Sequence, residues 1–109
     1  MAQEGGAHLL ELLRTSRTPA ILRLEGDIDL AASGQLNEAL GEAIAAGVTT
    51  IDLSGVTFMD STGLHAILSA ARSLNGQGPL VLERPSRSVA RLLGIALPGA
   101  LPGIVIRAG

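Results

Sequence analysis

Between Val48 and Leu74 the hydrophobic pattern changes period, and small polar residues sit at the change. Ile51 and Leu53 alternate with Thr50 and Asp52, which is the period of a strand with one face in a core. From Leu64 onward the apolar positions recur at Ile67, Leu68, Ala71 and Leu74, the spacing of one helix face. A strand spans Val48–Ser54 on this reading, and Gly55–Met59 is a short connection. Asp60 then caps a helix whose first turn carries Ser61, Thr62 and Gly63. A strand that feeds a helix this directly specifies layered α/β packing rather than an all-helical or all-strand core.

The rest of the chain extends the alternation. Residues 1–7 read as a flexible tail and residues 8–109 as one domain. His8–Arg14 fits a strand or a helix face. The turn signal at Thr15–Pro19 and the alternating strand Ala20–Glu25 favour a hairpin. Gly26-Asp27-Ile28-Asp29 reads as a polar exit, and Ser33 as the cap of a helix through Leu36, Leu40 and Ala43 to Gly47. Asn75–Gly78 ends the second helix. Pro79–Glu83 is a strand, Ser86–Leu93 a short helix, Gly94–Gly103 a connection and Ile104–Arg107 a last strand. The order β-β-α-β-α-β-α-β predicts an α/β fold with a mixed β-sheet, right-handed crossovers and helices mainly on one face.

Composition removes several functions. The net charge of −2 over 109 residues supplies no basic face for a nucleic acid, and Phe58, the sole aromatic residue, offers no stacking platform. Cysteine is absent, so neither disulfides nor thiolate chemistry enter. No apolar run approaches the roughly eighteen residues of a membrane span, and the N-terminus lacks the pattern of a signal peptide. The expected location is the cytoplasm.

Asp60-Ser61-Thr62-Gly63 carries three readings. On spacing alone it is a helix cap, because four backbone N–H groups at a helix start lack partners. A catalytic reading is poorly supported. No Gly-x-Ser-x-Gly elbow is present, and the intervening Thr62 spoils the Asp-Ser-Gly pattern of an aspartic protease. Ser61 and His65 share a helix face but have no third group to orient the imidazole. His8, His65 and the scattered carboxylates lack ligand spacing, and no phosphate-cradling Gly-rich loop occurs, so neither metal nor cofactor is expected. The third reading is a phosphorylation switch. A phosphoryl group on Ser61 would bring about −1.5 to −2 charges to a helix start that tolerates them. The fold would survive, and a docked partner would feel the charge. Gly63 is read as leaving room for that partner to approach the backbone.

Ser61, His65, Ser69 and Arg72 form one stripe of the second helix, a solvated face by default and a docking face if Ser61 switches. His65 and Arg72 are the expected partner contacts on it. Arg84, Arg87 and Arg91 stand at helical spacing and read as a solvated face. Asp52 reads as a polar residue on the wet side of the sheet.

The run Thr50-Ile-Asp-Leu-Ser-Gly-Val-Thr-Phe-Met-Asp-Ser-Thr-Gly-Leu64 resembles the strand–loop–helix signature of the STAS family, and within it the bacterial anti-sigma factor antagonists. Leu24-Glu-Gly-Asp-Ile-Asp-Leu30 is similar to that family's strand exit, and Val89-Ala-Arg-Leu-Leu93 to its third helix. The resemblance implies that Ser61 is the residue phosphorylated, with Thr62 beside it, by an anti-sigma factor that is also a serine kinase. It implies that the unphosphorylated form binds this kinase and frees a sigma factor, and that a metal-dependent serine phosphatase reverses the modification. Asp29 and Asp60 match acidic positions flanking the site, so Asp29, Asp60, Ser61, Thr62, Gly63, His65 and Arg72 form the expected partner surface of a free monomer. The family often has a cap residue near Ala32, a role that falls here to Ser33. The alternative within the family is an interaction module of a transport or signalling assembly with no phosphorylation cycle.

Overall fold

A computed structural model describes residues 13–96 and 103–107. The elements are β1 (Leu13–Arg17), β2 (Ile21–Ile28), a 3-10 turn (Leu30–Ala32), α1 (Ser33–Ala45), β3 (Thr50–Met59), α2 (Ser61–Ser73), β4 (Leu80–Glu83), α3 (Arg87–Ala96) and β5 (Ile104–Arg107). The five strands form one sheet in the order β1-β2-β3-β4-β5. β1 pairs antiparallel with β2, and the remaining neighbours are parallel. The expected mixed α/β sheet is therefore present, in the expected order of elements.

Cross-strand rows show why this sequence makes a two-faced sheet. Leu22, Ile51 and Leu82 stand in register on adjacent strands, and all three are buried beneath the helices. Leu36 and Leu40 of α1 and Ile67 of α2 close the same core. The next row, Arg23, Asp52, Glu83 and Arg107, points to the opposite face and consists entirely of ionisable groups. Period-two alternation thus puts a hydrocarbon layer under the helices and an ion-paired layer on the open face.

The structure revises four local expectations. β1 occupies Leu13–Arg17: it meets the expected first strand at Leu13–Arg14 and runs on through Thr15–Arg17, where a turn was expected, so the turn is confined to Thr18–Ala20. Thr18 holds that turn through its hydroxyl, which accepts the backbone N–H of Ile21 at 3.0 Å. The tail and residues 8–12 of the expected first strand lie outside the described residues. β3 does not stop at Ser54 but runs to Met59, through the segment read as a connection. Relative to β2 it carries an extra residue at two places, between the pairs Arg23–Asp52 and Glu25–Gly55 and again before Asp27–Phe58. These bulges break the alternation and bend the strand. Gly26, at φ 104°, supplies the left-handed conformation on β2.

The third revision concerns Ser33. It is the first residue of α1 rather than its cap, and its hydroxyl donates to the Leu30 carbonyl at 2.9 Å. The capping aspartate is Asp29, which serves the preceding 3-10 turn. The fourth concerns the open face. Asp52 lies on the side expected but is buried, at 4% exposure. Its Oδ2 accepts Arg23 Nη1 at 2.9 Å and Arg84 Nη2 at 2.6 Å, while Oδ1 accepts the Ser54 backbone N–H at 2.9 Å. Burial pushes this carboxyl up, but Ser54 and the two guanidiniums outweigh it and hold the pKa at about 2. Arg84 is accordingly not part of a solvated helix face. It stands before α3 at φ 54°, in the left-handed region, with its guanidinium paired to Asp52.

Candidate functional site

β2 and β3 end side by side, with Ile28 opposite Met59. The Ile28 carbonyl accepts the Asp60 N–H at 3.0 Å, tying the two strand ends together one residue before α2 begins. Asp60 is extended, at φ −107° and ψ −172°, and its Oδ1 accepts the backbone N–H groups of Thr62 at 2.9 Å and Gly63 at 3.4 Å. The Thr62 hydroxyl donates to the same oxygen. That hydroxyl, and secondarily the two backbone donors, hold the Asp60 carboxyl below its ordinary pKa against the effect of burial. The expected cap is therefore formed, and it engages Thr62 as well as the backbone.

Ser61 is the exception in this cluster. It is exposed, and its hydroxyl makes no hydrogen bond among the described residues. Thr62 is half-buried with its hydroxyl proton already placed. The two adjacent hydroxyls are thus chemically distinct: one is held in the cap and the other is presented to solvent at a helix start.

Gly63 has a different role from the one expected. It is buried, and a Cβ built there would lie 2.4 Å from Ile28 Cγ2 and 2.9 Å from Met59 Cγ. The missing side chain lets α2 settle onto the ends of β2 and β3; the space it spares lies inside the fold, not toward a visitor. Sequence spacing could not show this, because Ile28 approaches from another strand.

α2 packs against α1, and a cleft of about 440 Å³ opens between their first turns. Ser61, Thr62, His65, Ala66 and Ser69 line it from α2. Leu30, Ser33 and Asn37 line it from the other side, and the sequence stripe on α2 pointed to none of these three. Asp29 stands immediately before Leu30, with Oδ1 accepting the Ala32 N–H at 3.2 Å. Arg72 is exposed on the last turn of α2 and does not line the cleft. The structure thus joins Ser61, Thr62 and His65 in one place, with Asp60 beneath them as the cap and Arg72 outside.

Ser61 and His65 make no hydrogen bond to each other among the described residues. No group of three or more His, Cys, Asp or Glu that could hold a metal occurs among the described residues. No helix of the described residues is long and apolar enough to cross a membrane.

This fold, with a serine displayed at the start of the helix after the third strand, has a family. A model of the STAS domain matches residues 11–97, and the chain belongs to that family. An anti-sigma F factor antagonist of Lysinibacillus sphaericus is 34% identical over 86 residues, 75% of this chain and 74% of its own. The anti-sigma-F factor antagonist RsfB of Mycobacterium tuberculosis is 45% identical over 60 residues, which is 53% of this chain. The match spans about half the length of RsfB, at 48%. Among solved structures, the anti-sigma factor antagonist SpoIIAA in its unphosphorylated form superimposes with a TM-score of 0.64 at 26% identity, covering 86% of each chain. The phosphorylated form of SpoIIAA, a Bacillus cell fate determinant, gives 0.58 at 26% identity, covering 86% of this chain and 89% of its own.

Proposed function

We propose that this chain is an anti-sigma factor antagonist whose docking is switched by phosphorylation at Ser61. The observation that carries the reading is the division between neighbouring hydroxyls. Thr62 is held by Asp60, whereas Ser61 is exposed and uncommitted. The antagonists among its relatives, and a structural neighbour solved with and without phosphate, support the same reading.

In this scheme the unphosphorylated chain, a cytoplasmic monomer, seats an anti-sigma factor on the cleft beside Ser61. That factor doubles as the serine kinase. A phosphoryl group on Ser61 meets the positive end of α2, where helix geometry accommodates it. The domain stays folded, and the charge falls on the interface, beside Asp60 and near Asp29. A serine phosphatase returns the chain to the binding state. The chain acts by occupying its partner and catalyses nothing itself.

The test is a binding titration against the anti-sigma kinase encoded in the same genome. Ser61→Ala retains wild-type affinity, and Ser61→Asp binds more than about thirtyfold more weakly, the scale of an unpaired charge forced into an interface. Equal affinity of the two variants sinks the switch and leaves an interaction module without a phosphorylation cycle.

A further inference from the structure

The cleft beside Ser61 has one apolar residue displayed to solvent. Leu30 is 72% exposed, against 49% for Phe58, 45% for Ile106 and 40% for Val105, the other large hydrophobics displayed among the described residues. A single exposed leucine is ordinary on a protein surface. Two features of Leu30 are less ordinary. It lines the cleft that Ser61 also lines, and its backbone is fastened on both sides.

The fastening is specific. Ala32 N–H donates to both the side chain and the carbonyl of Asp29, at 3.2 and 3.0 Å. The Ser33 hydroxyl donates to the Leu30 carbonyl at 2.9 Å. Ala32 itself is buried at 4% exposure and roots the turn in the core. The turn therefore holds Leu30 in place outside the core although the core gains little from it. A residue carried on so constrained a turn loses little backbone freedom when something covers it.

The cleft lining also decides what can cover it. Apart from Leu30 and Ala66 it consists of hydroxyls, the Asn37 amide and the His65 imidazole, with no carboxylate, lysine or arginine. A lining of this kind brings no carboxylate, lysine or arginine to a charged segment, but it offers an apolar contact rimmed by hydrogen-bonding groups. That is the anatomy of an interface centre.

We propose that Leu30 is the apolar anchor of the docking surface, against which the anti-sigma factor seats an apolar side chain in the α1–α2 cleft. The inference rests on the antagonist reading above and adds the chemistry of the contact. It also explains how release works. A phosphoryl group on Ser61 brings charge into a cleft whose binding depends on exclusion of water around Leu30, so the apolar contact is lost without any change of fold.

The anti-sigma factor that binds the wild-type chain in the titration above is the probe. Leu30→Ala weakens binding by roughly tenfold or more, the scale of a leucine side chain removed from a desolvated contact. Leu30→Met, which keeps the apolar volume, stays within about threefold of wild type. Phe58→Ala, at an exposed residue outside the cleft, leaves the affinity unchanged. Thermal midpoints of the Leu30 variants match wild type, because the side chain is outside the core. Wild-type affinity in Leu30→Ala while Ser61→Asp still fails to bind overturns the anchor and leaves the antagonist reading standing. Equal losses in Leu30→Ala and Phe58→Ala overturn it as well. Failure of both the wild type and Ser61→Ala to bind overturns the antagonist reading, and the anchor with it.

Discussion

The Thr62 hydroxyl donates to the Asp60 carboxylate, in the same cap that takes the Thr62 backbone N–H at 2.9 Å. Phosphoryl transfer to Thr62 would have to break that bond and place phosphate against a carboxylate. Ser61 has no such bond to break. Incubation with ATP and the anti-sigma kinase is therefore expected to add one phosphoryl group, on Ser61. Ser61→Ala takes up none, and Thr62→Ala still takes up one. Intact-mass and fragment spectra read both results.

Phosphorylation leaves the domain folded. At the start of α2 the helix dipole favours a phosphate by about 0.3–1 kcal/mol, and repulsion from Asp60 offsets a similar amount. The thermal midpoint of the Ser61-phosphorylated chain stays within about 3 °C of the unmodified chain in calorimetry, a shift that corresponds to well under 1 kcal/mol. A drop several times larger would mean that the phosphate acts by unfolding the domain.

Gly63→Ala destabilises the fold even though alanine is the better helix former. The new Cβ would sit 2.4 Å from Ile28 Cγ2. Overpacking of this kind costs about 1–3 kcal/mol, against at most about 1 kcal/mol returned by helix propensity. Urea unfolding is expected to show a net loss. Ile28→Ala removes the nearer of the two colliding atoms, Ile28 Cγ2, so the double variant loses less stability than the sum of the single variants.

Asp52 makes stability depend on acid. Its pKa is about 2 in the fold against an ordinary 3.8, so its contribution is present at neutral pH and lost as the pH falls through that interval. The shift corresponds to at most about 2 kcal/mol, since Arg23 and Arg84 remain partly in water. Asp52→Asn is expected to lower stability by about that amount at pH 7 and to converge on wild type as the pH falls through and below about 2, in denaturant titrations across the range.

Much of this architecture is legible in the amino-acid pattern. Where alternation is unbroken, as at Ile51 to Leu53, the buried and open faces can be assigned from the residues alone. The cap is equally local, since Asp60 bonds groups two and three residues away. What escapes the pattern depends on distant partners. β1 has one buried residue and four exposed ones, so no alternation marks it as a strand. β3 beyond Ser54 is disguised by its bulges, which exist only in relation to β2. Gly63 faces Ile28, Asp52 is buried by Arg84 from beyond β4, and Leu30 joins the cleft only once α1 lies beside α2. These relationships become visible only when separate segments are brought together.

The sheet lists its strands in the order in which the chain is synthesised, β1 to β5. Among the described residues each strand pairs with the one made just before it. No strand has to wait for a later segment to be inserted beside it, as a doubly wound sheet would require. Closure costs stay low at every step, because they grow with the length of chain to be looped. The sheet can therefore assemble one edge at a time as the polypeptide leaves the ribosome, and the cleft takes shape once α2 has emerged, before β5 is added.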